Sequence, residues 1–209
     1  MPSDKPKILG RCSSSNVQKV LWLLAEMNVP FDREDYGGKF GRNRDAEYLK
    51  LNPNGVVPTL IDGDFILWES NTICRYLANR FGATALYPSD LRERALCEKW
   101  MDWNMSLAYA VSPVFRLLVR GEGKDNPKAL EALQPRAVLQ LSILDQALER
   151  RVYIESPHLT LADIVNGIWV HRWFALGFKD GTMRNLEVWY DRLSERTAYR
   201  EQVMAVPLE

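Results

Sequence analysis

Two hydrophobic rhythms divide this chain. Over the first eighty or so residues, short apolar runs of strand character alternate with segments of helical period. Lys7-Ile8-Leu9-Gly10 predicts a short strand, after which Val17, Val20, Leu21 and Leu24 recur at helical spacing through Met27. Residues 31–35 alternate and predict a second strand. The polar stretch GGKFGRNRD (37–45) predicts a loop, followed by a short helix ending near Leu51. Asn52-Pro53-Asn54-Gly55 is a turn signal. Residues 56–61 and 65–68 predict two strands joined tightly across Asp62-Gly63-Asp64. A helix carrying Ile73, Tyr76, Leu77 and Phe81 opens at Glu69 or Ser70. The order is β-α-β-α-β-β-α.

Beyond this point the strand signals vanish. Residues 82–90, with Gly82, Pro88, Ser89 and Asp90, predict a linker. Leu96, Trp100, Trp103, Leu107, Val111, Val114 and Leu118 mark one face of a long helix, which Pro113 should kink. A charged, glycine-containing loop is expected at 121–127. Leu130, Leu133, Ala137, Leu141, Leu144 and Leu148 mark a second helix, and Leu161, Ile164, Val165 and Ile168 a third. Shorter helices are expected near 185–194 and 198–203. The expected architecture is α/β plus all-α: a domain at 1–81, a linker at 82–90 and a helical domain at 91–209.

Charge and composition narrow the function. Lys+Arg and Asp+Glu both number 27, so the chain lacks the broad basic field that non-specific nucleic-acid binding needs. The longest apolar run, residues 20–25, falls far short of the roughly 20 needed to cross a bilayer. The first ten residues carry no stretch of signal-peptide character. These features lead us to expect a cytoplasmic protein with neither a membrane nor a nucleic-acid partner. Three cysteines (Cys12, Cys74, Cys97) at irregular spacing do not form a disulfide framework, and His158 and His171 stand in no zinc motif. No metal is expected.

Four places carry chemistry. In CSSSNVQKV (12–20), small polar residues precede the first helix, whose start offers unpaired N–H groups and a positive dipole end. Ser15 and Gln18 equally match a capping box, which needs no function. Val57-Pro58 enters a strand after a turn; a cis bond would leave the Val57 N–H and C=O free for an extended peptide, whereas a trans edge proline would be structural only. Glu69-Ser70 sits at a strand-to-helix junction, where Ser70 caps the helix or the pair receives a ligand carboxylate and ammonium. Thr160-Leu161-Ala162-Asp163 is an N-capping pattern and is read as structural. Together the first three suggest a zwitterionic peptide laid along a strand.

The motifs SSSNVQKVLWLLAE, NPNGVVPTL, LWESNTICRYL and LTLADI, in this order and spacing, resemble the cytosolic glutathione S-transferase family, most closely its bacterial, theta-, phi- and nu-like serine-type members. The resemblance runs from about Lys7 to Glu201. It implies a thioredoxin-like domain followed by a helical domain, glutathione as co-substrate with no permanently bound cofactor, a small hydrophobic electrophile as second substrate, and a homodimer. By position, Ser14 matches the catalytic serine, and Asn16 the asparagine that in some members also faces the thiol. Val57 and Pro58 match the pair holding the cysteinyl unit. Glu69 and Ser70 match the pair receiving the γ-glutamyl group. Asn43 and Arg44 stand where side chains reach the glycine carboxylate. One departure is Val56, where many members carry Lys or Gln; Lys39, Arg42 and Arg44 are the nearby replacements. Arg11, Trp103 and Tyr109 are the candidates for the second-substrate pocket.

The expected activity is a transferase in which Ser14 and the helix start activate the glutathione thiol, in the service of detoxification. The alternatives are a glutathione-dependent peroxidase or isomerase, and a binding module that kept the fold without catalysis.

Overall fold

Where the first apolar rhythm ends, so does the first of two compact units: one reaches Ala83 and the other runs from Thr84 to Glu209. The structure, a computed structural model, describes residues 5–122, 125, 126 and 128–209; the loop expected at 121–127 therefore lies partly outside the described residues.

In the first unit, β1 (Lys7–Leu9), β2 (Asp32–Glu34), β3 (Thr59–Asp62) and β4 (Phe65–Trp68) form one sheet in the order β2-β1-β3-β4. The β1–β2 pair is parallel and the other two pairs are antiparallel. Helix α1 (Ser15–Glu26) supplies the crossover that the parallel pair requires. All its residues from 17 to 24 are buried, and it packs on α3 (Ser70–Arg80). Short α2 (Ala46–Leu51) precedes β3, and the loop before it contains one tight turn, Gly38–Phe40. The order matches the expectation, with one correction. The strand expected from Val56 begins at Thr59, because Pro58 has no N–H to give to a ladder.

Residues 84–90, the greater part of the segment expected to be a linker at 82–90, fall in the second unit, where Tyr87 is buried and the Leu161 N–H donates to Leu86 O at 2.9 Å. Helix α4 (Leu91–Arg120) is capped by Asp90, which accepts from the Arg92 and Glu93 N–H groups, and it runs through Pro113 as one element. Helices α5 (Ala129–Ala147), α6 (Leu161–Trp173) and α7 (Arg184–Ser194) follow, and the last turns, Thr197–Tyr199 and Arg200–Met204, close the chain. Every residue of α6 is buried, and α6 packs on α4. Polar groups inside this core are paired: Asn104 Nδ2 donates to Val165 O (2.9 Å) and Asn166 Oδ1 (3.0 Å), and Asn166 Nδ2 donates to Ala162 O (2.8 Å). Among the described residues, no helix is long and apolar enough to cross a membrane.

The capping pattern at Thr160 forms and reaches further than a cap. Asp163, fully buried, accepts from the N–H groups of Thr160 (2.8 Å) and Ile154 (2.9 Å) and from Trp189 Nε1 (2.8 Å). One carboxylate thus ties the start of α6 to the preceding loop and to α7. In Asp163→Ala, two backbone donors and an indole would be buried without an acceptor. Urea unfolding should show a loss of about 3 kcal/mol or more, well beyond the roughly 1 kcal/mol of an ordinary cap.

Asp163 and His171 also set opposing pH dependences. Burial pushes the Asp163 carboxyl up to about 6, against the hydrogen bonds that pull it down. The folded chain then keeps a proton that the unfolded chain releases, so this contribution to stability falls as pH rises from about 4 to 6. Burial, aided by the Arg172 charge, pushes His171 down to about 4, and its Nδ1 lies 3.0 Å from the Tyr190 hydroxyl. Here the unfolded chain binds the extra proton, so stability is lost as pH falls from about 6.5 to 4. Replacing His171 with Asn should leave the Asp163 effect unopposed. The unfolding free energy between pH 4.5 and 6 should then change with pH more negatively than in the parent, by up to about 1.4 kcal/mol per pH unit. An unchanged slope would show that His171 is not held neutral.

Candidate active site

The first wall of the site is the start of α1. A Cβ on Gly10 would stand 2.5 Å from Val17 Cγ2, so only glycine lets β1 turn this closely into the helix. Ser14 occupies the N-cap position, yet its side chain makes no capping hydrogen bond. The capping box expected of Ser15 and Gln18 does not form, because Ser15 is already the first helical residue and the Gln18 N–H goes to the backbone oxygen of Ser14 (2.9 Å). The half-buried Ser14 hydroxyl is left beside the open N–H groups of the first turn, without a side-chain partner among the described residues.

The second wall is the turn from Asn52 to Pro58, braced from below. Asn52 is fully buried; its Nδ2 donates to Val56 O (2.9 Å) and Thr59 Oγ1 (3.1 Å), and its Oδ1 accepts from the Asn54 N–H (3.1 Å). The Tyr48 hydroxyl donates to the same Val56 oxygen at 2.7 Å. The Val57-Pro58 peptide is cis. Above this support the Val57 N–H and C=O have no partner among the described residues.

The third wall is the β4–α3 junction. Glu69 takes the N-cap position of α3 with φ of 73° and ψ of 107°, a conformation that a side chain rarely adopts, and its exposed carboxylate does not cap the helix. Ser70, which the sequence allows as either a cap or a ligand contact, is the first helical residue and is buried. An unstrained residue with an ordinary cap would serve a purely structural helix start better. Strain of this kind persists where the surroundings over-determine it and clusters at ligand clamps.

These walls meet at a pocket of about 40 Å³ lined by Asn16, Asn52, Val56, Val57, Pro58, Trp68, Glu69 and Ser70. Five of the residues singled out from the sequence are therefore together, with Ser14 two positions before Asn16. Asn52 and Trp68 were not foreseen: the first reads only as a turn residue and the second only as a strand residue. The polar loop borders the same turn. Asn43 Nδ2 donates to Gly55 O at 2.7 Å, and Arg44 lies over Gly55, where a Cβ would come within 2.8 Å of its Nη1. Arg42 is engaged elsewhere, in an ion pair with Glu34 (2.8 Å) and a hydrogen bond to the Tyr36 hydroxyl (2.8 Å). Lys39 lies 5.5 Å from the centre of the Phe40 ring. Arg11 rests on the 37–38 backbone: a Cβ on Gly38, where φ is +57°, would stand 2.8 Å from Arg11 Nε. Trp103 and Tyr109 are on α4 of the second unit, Trp103 edge-on to Trp100 (4.9 Å between ring centres) and Tyr109 64% exposed.

Chemically the three walls together offer a free hydroxyl and free N–H groups at one helix start, an unpaired backbone N–H and C=O on the cis turn, and a carboxylate beside a second helix start. This suits an extended ligand with an anion at one end and a zwitterion at the other. Among the described residues, no group of three or more His, Cys, Asp or Glu is placed to hold a metal ion.

Residues 7–79 match the family model described as "Glutathione S-transferase, N-terminal domain". The chain is 37% identical over 199 residues to glutathione S-transferase GstB of Escherichia coli strain K12, an alignment covering 93% of this chain and 96% of that one. It is 28% identical over 211 residues to glutathione S-transferase 3 of Zea mays, covering 97% and 95%. Among solved structures it is similar to the theta-class glutathione S-transferase of Xanthomonas axonopodis pv. citri with glutathione bound. The TM-score is 0.91, the identity 39%, and both chains are covered in full.

The strain at Glu69 yields a test of the geometry. Glu69→Gly should relax the backbone and raise the unfolding free energy by about 1 kcal/mol, while Glu69→Ala, which keeps a Cβ at the same φ, should not. Equal stability of the two variants would show that the junction carries no strain.

Proposed function

Because the chain belongs to the glutathione S-transferase family, we propose that it joins the thiol of glutathione to a small apolar electrophile, with Ser14 donating a hydrogen bond to the sulfur. The observation that carries this reading is the Ser14 hydroxyl at the start of α1, half-buried and unused as a cap. Asn16, on the adjoining turn and exposed to the pocket, faces the same sulfur.

The energetics are sufficient. A thiol with a pKa near 8.5 is only a few per cent ionised at neutral pH, and lowering it by about two units takes roughly 2.7 kcal/mol of preference for the thiolate. A helix start supplies about 0.3–1 kcal/mol and a hydrogen bond to a charged group about 1.5–3 kcal/mol. Ser14 acts as a donor, not as a nucleophile. The thiolate then attacks the electrophile, forming the carbon–sulfur bond as the leaving group departs or the acceptor takes up the electron pair.

The remainder of glutathione follows the walls. Its cysteinyl N–H and C=O pair with the backbone of Val57 beside Pro58. Its γ-glutamyl carboxylate meets the Ser70 hydroxyl and the α3 N-terminus, and its ammonium meets Glu69. Its glycine carboxylate reaches Arg44, with Asn43 fixing that loop to Gly55. Arg44 thereby takes over from the basic or amide side chain that Val56 cannot provide. The working form is a cytoplasmic homodimer with a detoxifying role. Phe65, Ile66 and Trp68, exposed on the edge strand β4, suit a second copy, and three cysteines outside any disulfide suit a reducing compartment.

The test is an ultraviolet titration of thiolate absorbance for glutathione with the protein between pH 5 and 9. The parent should show a thiol pKa lowered by about two units, and Ser14→Ala should return it most of the way while stability changes little, since no cap is lost. Free-glutathione behaviour with the parent protein at saturating ligand would contradict the assignment.

A further inference from the structure

Behind the β4–α3 junction lies a charged group that the reading above does not use. Lys19 sits on α1 among neighbours that are all buried, and only 1% of its own surface is exposed. Its Nζ donates to Asn71 Oδ1 at 3.2 Å, on the opening turn of α3. Packing of α1 on α3 would be served by an apolar side chain, and burying an ammonium is costly unless its charge is used.

Burial lowers its pKa to about 8, and the neighbouring Glu69 carboxylate opposes that shift. Cys74 is itself pushed up to about 12, chiefly by burial, and stays a neutral thiol; Arg75 is the other charge acting on it. At neutral pH Lys19 is therefore mostly protonated, and Glu69 is the one carboxylate acting on it among those groups. The charge adds to the positive end of α3, where Ser70 opens the helix.

We propose that Lys19 is a positioning residue: through Asn71 and Glu69 it fixes the junction that receives the γ-glutamyl group, and its buried charge selects for the carboxylate of that group. This rests on the glutathione reading given above. Lys19 touches no ligand atom. It acts from beneath, as a fixed positive charge that an exposed lysine, mobile and screened, does not provide.

The test separates this from a packing role by asking for one functional group of the ligand. S-methylglutathione, which has no titrating thiol, is compared with an analogue in which the γ-glutamyl α-carboxylate is replaced by hydrogen; binding to the full chain is measured by calorimetry. The parent should prefer the carboxylate-bearing ligand by roughly tenfold or more, as for a charge-assisted contact. K19M should shrink that preference several-fold while binding the analogue about as well as the parent does. Above pH 8 the parent's preference should decline as Lys19 loses its proton, and the decline should be absent from folded K19M. An equal weakening of both ligands in K19M, or an undiminished preference, overturns the proposal. If K19M does not fold, a parent preference that stays constant from pH 7 to 9.5 overturns it equally. Failure of the parent to bind either ligand overturns the glutathione reading itself, and this inference with it.

Discussion

An α-helix begins with N–H groups that its own ladder cannot satisfy, and the start of α1 leaves them open. Ser14 stands where a serine normally turns its oxygen inward to close the helix, and here it does not. The same condition recurs at α3, where Glu69 occupies the cap position without capping and Ser70 lies inside the helix. The proposed chemistry depends on these two open ends facing one small pocket. Two capped helices in the same places would give the same fold without an anion site.

Holding open ends in register takes support from elsewhere. Between them, the cis turn is fixed by a buried set of Tyr48, Asn52 and Thr59, all aimed at Val56 O or at one another. The network leaves the next residue, Val57, with an N–H and C=O that no described residue uses. Its members are polar, buried and paired, the condition under which such a network rigidifies its surroundings. The second unit uses the same device at Asp163, where one carboxylate joins the start of α6, the loop at Ile154 and the Trp189 indole. In both units a single buried acceptor or amide sets geometry that apolar packing alone would leave loose.

The fold was legible because each element carries its own period. Val17, Val20, Leu21 and Leu24 declare α1, and the alternating runs around Asp62-Gly63-Asp64 declare the β3–β4 hairpin. The error at β3 was local: an apolar run from Val56 looks continuous with a strand, but Pro58 delays the ladder to Thr59. Residues 82–90 read as a linker because Pro88, Ser89 and Asp90 are turn punctuation; within that stretch Tyr87 is buried and the Leu86 carbonyl accepts from the Leu161 N–H, contacts that leave no mark on local periodicity. The site was legible in its outline, through Ser14, Val57, Pro58, Glu69 and Ser70. Asn52, Trp68 and Lys19 were not, because their roles arise from contacts between elements distant in the chain. No periodicity could tell a capping Ser15–Gln18 pair from an uncapped Ser14. That distinction is one of backbone geometry at a single residue.

The most direct test is a crystal structure of the protein with glutathione bound. The account predicts the sulfur within about 3.5 Å of Ser14 Oγ, with the cysteinyl N–H and C=O paired to the backbone of Val57 and the γ-glutamyl carboxylate at the Ser70 N–H. A sulfur turned toward Cys12, with Ser14 Oγ bonded back to the N–H groups of its own helix, would contradict it.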